Sequence, residues 1–441
     1  MPVRRARTVR TAGAARTAGA ARTARTAGAA RTARTAGAAR SARTARPAHT
    51  ASVALAGALA AAAVAAATLV PPAVSAASAA ETGTGTGHAG TRAAIEAAVR
   101  AGVPGVVAGA RDRRGAWDGT TGLANTATGR ERLPQDRFRV GSITKTFVAT
   151  VLLQLEAEGK LGLDDTVDTW LPGLVRGNGH DGRRTTVRQL LNHTSGIYNY
   201  TGDSDFAEQV FGPGFFEHRY DTWQARELVA VAMRHKPEFA PGTGWSYSNT
   251  NYILAGMVIE EVTGRPYGRE VERRILRPLK LTATSVPGTV AGMPSPSGRA
   301  YSKLSPDPAA DTVHDVTELD PSAAGAAGEM ISSTSDLQRF YRALLGGKLL
   351  PAGQLKQMTE TVPISPELPQ HRYGLGLTRT TLSCGKEVWG HGGGIHGSSS
   401  EAVTTRDARH SLALNLNADW TGDPAAVVDA EFCRPSARAT G

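Results

Sequence analysis

The stretch VGSITKTFVATVLLQLEAEGKL, residues 140–161, constrains the fold more than any other part of the chain. Phe147, Val148, Val151, Leu152, Leu153 and Leu155 reach nearly every side of the helix their spacing predicts, so that helix must be enclosed by other elements. A chain of 441 residues, 41% of them hydrophobic, is large enough to enclose it. Lys145 then stands in the first turn, three residues after Ser142, at the spacing where helical side chains meet. A lysine at that depth must pair or give up its proton, because burial penalises the ammonium. A neutral amine against a hydroxyl is a base against a nucleophile, and backbone N–H groups at the helix start can hold charge on an attacked carbonyl oxygen. Spacing alone decides nothing, since Ser383 and Lys386 repeat it in what reads as a turn.

The formal charge of +11 suggests a polyanion partner until its location is considered. Twelve arginines and no acid fall in residues 1–50, which accounts for the whole excess and leaves the remainder near neutral. The repeats RTARTAGAA at 22–30 and 31–39 carry too little apolar surface to offset their ordering entropy, so this segment reads as a solvated leader and no nucleic-acid partner is implied. Residues 51–70 are uncharged and run into small-x-small sites ending at Ala76 and Ala79, so 51–79 reads as a secretory signal. The protein is expected to be secreted and extracellular, with membrane attachment only if that segment stays uncleaved. Export lets Cys384 and Cys433 form a disulfide, and closing a loop of 49 positions stabilises by about 4 kcal/mol in the chain-entropy model. No Cys/His cluster has zinc-ligand spacing, so no metal is implied.

A polar Gly/Thr linker at 80–91 precedes a helix at RAAIEAAVRAG and two strands, VPGVVAGARD and GAWDGTTGLANTATG. Residues 161–320 read as mostly helical or irregular, with helical spacing in TVRQLLNHTSG, TWQARELVAVAMRHK and NTNYILAGMVIEEVTGR. RYGLGLTRTTLS, EVWGHGGG, SSEAVTTRD and HSLALNLNA read as an antiparallel meander, and DPAAVVDAEFC as a closing helix. An α/β half from 92–160 and 321–435 would thus carry an all-α insert at 161–320, leaving a tail at 436–441. A cleft between the halves is the natural place for a site.

Two further motifs bear on that cleft. Tyr247-Ser248-Asn249 lies in a Pro/Gly-rich loop before a helix, where a phenol can relay a proton and an amide can hold a substrate amide; alternatively Asn249 caps the helix and Tyr247 packs. His391-Gly392-Gly393-Gly394 ends a strand, where the glycines let a substrate backbone approach and the Gly394 N–H can complete an oxyanion pocket with that of Ser142. His391 would offer a donor or a charge near the leaving group, or be a solvated histidine in a bulge.

Taken together and in this order, Ser142-x-x-Lys145, Tyr247-x-Asn249 and His391-x-Gly393 resemble the three motifs of the penicillin-binding and β-lactamase-type serine hydrolases. The flanking text, including TVRQLLNHTSGIYNYT and RYGLGL, resembles secreted actinomycete D-Ala-D-Ala carboxypeptidases over residues 92–435. The resemblance implies a β-lactamase/transpeptidase-like fold, α/β plus all-α, with an antiparallel sheet flanked by helices and an inserted helical subdomain. It implies a monomer without cofactor that acts on cell-wall peptides and is acylated by β-lactams. By resemblance Ser142 attacks, Lys145 and Tyr247 move protons, and Asn249 orients the acyl donor. His391 lines the leaving side, Gly393 and Gly394 bind substrate through the backbone, with the Gly394 N–H joining that of Ser142 in the oxyanion pocket, and His193 is structural. Where those carboxypeptidases hold the peptide carboxylate with an arginine and two threonines, this chain has Thr378, Gly392 and Gly394, with Arg379 on the opposite face of its strand. An esterase, a D-aminopeptidase or a weak β-lactamase of the same fold therefore stands beside the carboxypeptidase reading, as does a non-catalytic penicillin sensor. An α/β-hydrolase is disfavoured because no Gly-x-Ser-x-Gly occurs.

Overall fold

The computed structural model describes residues 87–433 except 306 and 308. The basic leader, the signal segment with its cleavage sites, the linker as far as residue 86, and the 436–441 tail lie outside the described residues.

Nine strands form one sheet: β1 (Gly105–Asp112), β2 (Gly115–Asn125), β3 (Arg130–Glu131), β4 (Val362–Pro363), β5 (His371–Tyr373), β6 (Thr378–Thr381), β7 (Glu387–Ile395), β8 (Ser398–Thr404) and β9 (Ser411–Leu416). Their order is β4-β5-β6-β7-β8-β9-β1-β2-β3, antiparallel at every ladder. The seam between the two ends of the chain is β1 on β9, with Val106 opposite Leu416 and Arg111 opposite Ser411. Six helices matter below: α1 (Ala89–Arg100), α2 (Thr144–Ala157), α3 (Ser204–Val210), α4 (Asn249–Thr263), α5 (Thr334–Leu345) and α6 (Pro424–Phe432).

Strand residues alternate between two covered faces, which is why β1 and β9 read as nearly unbroken apolar runs. Val106, Ala108, Leu412, Leu414 and Val403 pack under α1 and α6 with Ile95, Val428 and Phe432. Val107, Ala402, Ala413 and Trp389 face the larger core that contains α2, α4 and α5. Eleven of the fourteen residues of α2 are buried, and Phe147 stacks on Phe340 of α5 at 3.7 Å. The enclosed helix demanded by the sequence is therefore present. Ser142, however, is not on it: Gly141–Ile143 form a 3₁₀ turn, and α2 begins at Thr144.

Residues 161–320 contain mostly short helices, among them α3 and α4, and two two-residue ladders, Arg176–Gly177 with His180–Asp181 and Tyr301–Ser302 with His314–Asp315. Cys384 and Cys433 are disulfide-bonded and fasten the β6–β7 turn to the end of α6. The end of α2 is fastened by charge. Arg274 grips Glu158 at 2.5 and 3.0 Å and Glu270 at 2.6 Å, and Arg273 adds a second 2.6 Å bond to Glu270. Burial pushes the Glu270 carboxyl up, but these guanidinium bonds outweigh it and hold it at about 2.

A carboxyl depressed in the folded state stabilises above its unfolded pKa and loses that contribution as pH falls through the folded value. Glu270→Gln is accordingly expected to destabilise the protein by about 2 kcal/mol at pH 7. Urea melts at stepwise lower pH will show the gap between variant and parent closing between roughly pH 4.5 and 2.

Candidate active site

The first turn of α2 is where burial and polarity conflict most. Lys145 has no exposed surface, and its Nζ lies 2.9 Å from Ser142 Oγ, 2.8 Å from Asn249 Oδ1 and 2.7 Å from the Ala327 carbonyl oxygen. None of the three is a carboxylate. Burial therefore drives the lysine well below its ordinary range, with no anion to offset it. A neutral amine has two N–H groups and one lone pair, and the site supplies two carbonyl oxygens and one hydroxyl. Asn249 and Ala327 accept from the amine, leaving its lone pair to accept from Ser142 O–H.

Ser142 and Asn249 are partly open to solvent, whereas Ala327 is buried, and the 3₁₀ turn lifts Ser142 clear of α2. Gly141 makes that turn at φ +51, and the space a side chain would need there is taken by the Gly394 backbone, 2.7–2.9 Å away. A Cβ on Gly393 would run into the Val140 carbonyl. Strand β7 thus lies directly on the nucleophile turn. Beyond Gly390 it has no β6 partner, which leaves the edge from His391 to Ile395 unpaired on the β6 side.

Tyr247 completes the group, with Lys145 Nζ 4.8 Å from its ring centroid and its hydroxyl hydrogen-bonded to Ser142. Burial raises the phenol above its usual range, against the opposing pull of that hydrogen bond, so it remains a proton donor at neutral pH. Asn249 opens α4 and does not serve as its cap; its Nδ2 donates to Thr201 Oγ1 at 3.3 Å, and its N–H to Asn199 Oδ1 at 3.0 Å. The amide is thereby aimed at Lys145 on one side and at the cleft on the other.

His391 is placed differently from the charge considered in the sequence. It is 4% exposed, and burial together with the nearby Lys145 pushes it down to about 3. Its Nδ1 lies 2.5 Å from the Gly392 carbonyl, which requires N–H there, so Nε2 accepts from the Tyr373 hydroxyl at 2.8 Å. Behind Tyr373 stands His193, in the left-handed conformation at φ +63, whose Nδ1 accepts from the Ser248 N–H at 3.2 Å and whose Nε2 faces Tyr373 Oη at 3.3 Å. The chain His193 to Tyr373 to His391 is uncharged and has one consistent set of donors. Tyr373, Thr201 and the Ala327 carbonyl were not singled out from sequence.

Residues expected at a carboxylate anchor point elsewhere. Thr378 Oγ1 donates to the Gly390 carbonyl at 2.8 Å, and Arg379 pairs with Glu387 at 3.3 Å, toward the end of β7 away from Gly393. Ser142 also lines a cavity of about 90 Å³, together with Tyr200, Phe211, Phe215, Trp223, Asn249, Gly394 and His396 among others.

The β-lactamase family model matches residues 91–430. This chain belongs to the β-lactamase family. Among solved structures, a D-stereospecific amidohydrolase from Streptomyces sp. is 66% identical, with a TM-score of 0.76 over 79% of this chain and 99% of that one. The D-amino acid amidase from Ochrobactrum anthropi SV3, solved with L-phenylalanine, is 29% identical, with a TM-score of 0.66 over 76% of this chain and 92% of that one. Penicillin-binding protein 4* of Bacillus subtilis is 28% identical over 291 residues, 64% of this chain and 60% of that protein, so the match spans under two thirds of its length. The expected fold and membership of the serine hydrolases of this family hold.

The geometry of this family member separates stability from chemistry at one position. Lys145→Met replaces a buried amine by an apolar chain of similar length; its thermal midpoint is expected to stay at or above that of the parent. Acylation by a fluorophosphonate is expected to slow by about a thousandfold, measured by stopped labelling, because the proton acceptor is gone.

Proposed function

We propose that the protein is a secreted hydrolase of D-amino-acid amides, esters and short D-peptides, working through an acyl-Ser142 intermediate. The observation that carries this reading is the pairing of a buried, acid-free Lys145 with Ser142 beside an apolar acyl-side cavity. The likeness to the Streptomyces amidohydrolase over nearly its whole length supports the choice of substrate class.

Ser142 Oγ attacks the substrate carbonyl as its proton passes to the Lys145 lone pair. The forming oxyanion sits between the backbone of Ser142 and that of Gly394, where fixed N–H dipoles act without reorganisation. Asn249 holds the acyl side. Tyr247, kept protonated by burial, donates to the leaving nitrogen as the C–N bond breaks, and recovers a proton relayed from Lys145. Water then enters by the same route in reverse and frees the acid. The neutral His391–Tyr373 pair shapes the leaving side without contributing charge.

A D-Ala-D-Ala carboxypeptidase needs a cation for the terminal carboxylate. Arg379 is engaged by Glu387, and Gly392 and Gly394 offer no hydroxyl, which favours the amidohydrolase over the carboxypeptidase reading. β-Lactams remain acylating agents in either case, since their attack needs only Ser142 and its base. Export follows from the signal-like segment 51–79.

Matched D- and L-phenylalanine amides and a D-Ala-D-Ala peptide discriminate these readings. The expected order of kcat/KM is D-amide first by about a hundredfold or more over both others. Equal turnover of the enantiomers, or preference for the D-Ala-D-Ala peptide, overturns the assignment.

A further inference from the structure

The β7–β8 turn brings a second histidine to the cleft that the mechanism does not use. His396 follows Ile395 and precedes Gly397 in a two-residue connection, with Ile395 opposite Ser398. That turn is rigid, since the Gly397 N–H donates to Asp419 Oδ2 at 2.8 Å and Ser398 Oγ to the Arg139 carbonyl at 2.8 Å. His396 is 7% exposed and lines the same cavity as Ser142. Its Nε2 lies 2.5 Å from the carbonyl oxygen of Val210, the last residue of α3. A carbonyl only accepts, so Nε2 carries a proton and is the donor. Its Nδ1 is buried without a partner.

The imidazole is also held between rings. Phe211 stacks on it at 5.0 Å with an interplanar angle of 13°, and Phe215 lies at 4.9 Å on a tilt of 31°. Phe211 is 41% exposed and Phe215 1%. Helix α3 is seven residues long and Phe211 caps it, its N–H donating to the Ala207 carbonyl at 2.8 Å, so what holds the neighbouring Val210 carbonyl adds to what sets the place of the Phe211 ring. His396 holds it from the sheet.

We infer that His396 is a specificity-determining positioning residue: by bonding the Val210 carbonyl and stacking on Phe211 and Phe215, it shapes the acyl cavity of this enzyme for an aromatic side chain. The inference rests on the amidohydrolase reading for its substrate class. It differs from that reading in what it predicts, because it concerns the ratio between two acyl groups and not the choice of bond or enantiomer. An aromatic acyl group adds a flat face to an existing stack, where offset and tilted rings are the favoured arrangements.

Two substitutions separate the bond from the ring. His396→Phe keeps a ring of similar size and loses the donor to Val210, whereas His396→Gln keeps a donor at the Nε2 position and loses the ring. Pre-steady-state acylation by the p-nitrophenyl esters of D-phenylalanine and D-alanine reads the cavity without depending on amide cleavage. The parent is expected to prefer the D-phenylalanyl ester by about tenfold or more in kcat/KM. His396→Phe is expected to lose most of that preference through KM, with the D-alanyl ester changed less than twofold and the thermal midpoint nearly unmoved. His396→Gln is expected to recover part of it, because Val210 is held again.

Equal losses on both esters in His396→Phe would assign His396 a merely structural part and overturn the inference. An unchanged ratio in both variants would do the same. Should D- and L-phenylalanyl esters react alike in the parent, the amidohydrolase reading fails, while the aromatic-to-alanyl ratio still decides the role of His396.

Discussion

A single amine surrounded by neutral atoms organises this molecule. Lys145 sits in the first turn of a helix enclosed on all sides, and its three contacts come from three separate elements: the Gly141–Ile143 turn, the start of α4, and the carbonyl of Ala327. Keeping an ammonium there would cost several kcal/mol with no anion to offset it. Losing the proton removes that cost and turns the contacts into a matched set of two acceptors and one donor. The same burial that stabilises α2 therefore deprotonates Lys145, the property the proposed base requires.

The rings packed around Lys145 maintain this absence of charge. His193, Tyr373 and His391 form a run of uncharged donors and acceptors whose tautomers are set at its ends by the Ser248 N–H and the Gly392 carbonyl. Tyr247 keeps its phenol proton for the same reason that Lys145 loses its own, since burial opposes whichever form is charged. An acid and a base thus share one pocket and one serine. Close packing holds them in register, because β7 can lie on the Ser142 turn only where Gly141 and Gly393 carry no side chains.

How much of this was legible before any coordinates depended on whether a signal was local. Ser142 and Lys145 are three residues apart, and the apolar run after them announces burial, so their contact in a buried turn was legible in the text. The alternation that splits Val106 and Val107 between two faces was legible as strands, but their nearly continuous apolar character concealed which face each residue serves. The third contact of Lys145 is a backbone carbonyl 182 positions away, which no side-chain pattern announces. Tyr373 was visible only as part of a family-like string, because its role arises between two histidines from distant segments. His391 was misleading for a physical reason: a histidine beside glycines reads as exposed, whereas here Tyr373 and Tyr247 lie against its ring and bury it. α5 shows helical spacing in Leu337, Phe340, Tyr341 and Leu344, yet lies in a stretch of sequence dominated by the return of strands.

The account is tested most directly by the protonation state of Lys145 itself. Lysines labelled with ¹³C at Cε, followed by NMR through a pH titration and assigned by comparison with Lys145→Met, report that state without reference to any substrate. The account predicts one lysine with the chemical shift of a neutral amine at pH 7, moving to the ammonium value only on acidification. A Lys145 resonance that keeps the ammonium shift at pH 7 and above would contradict it.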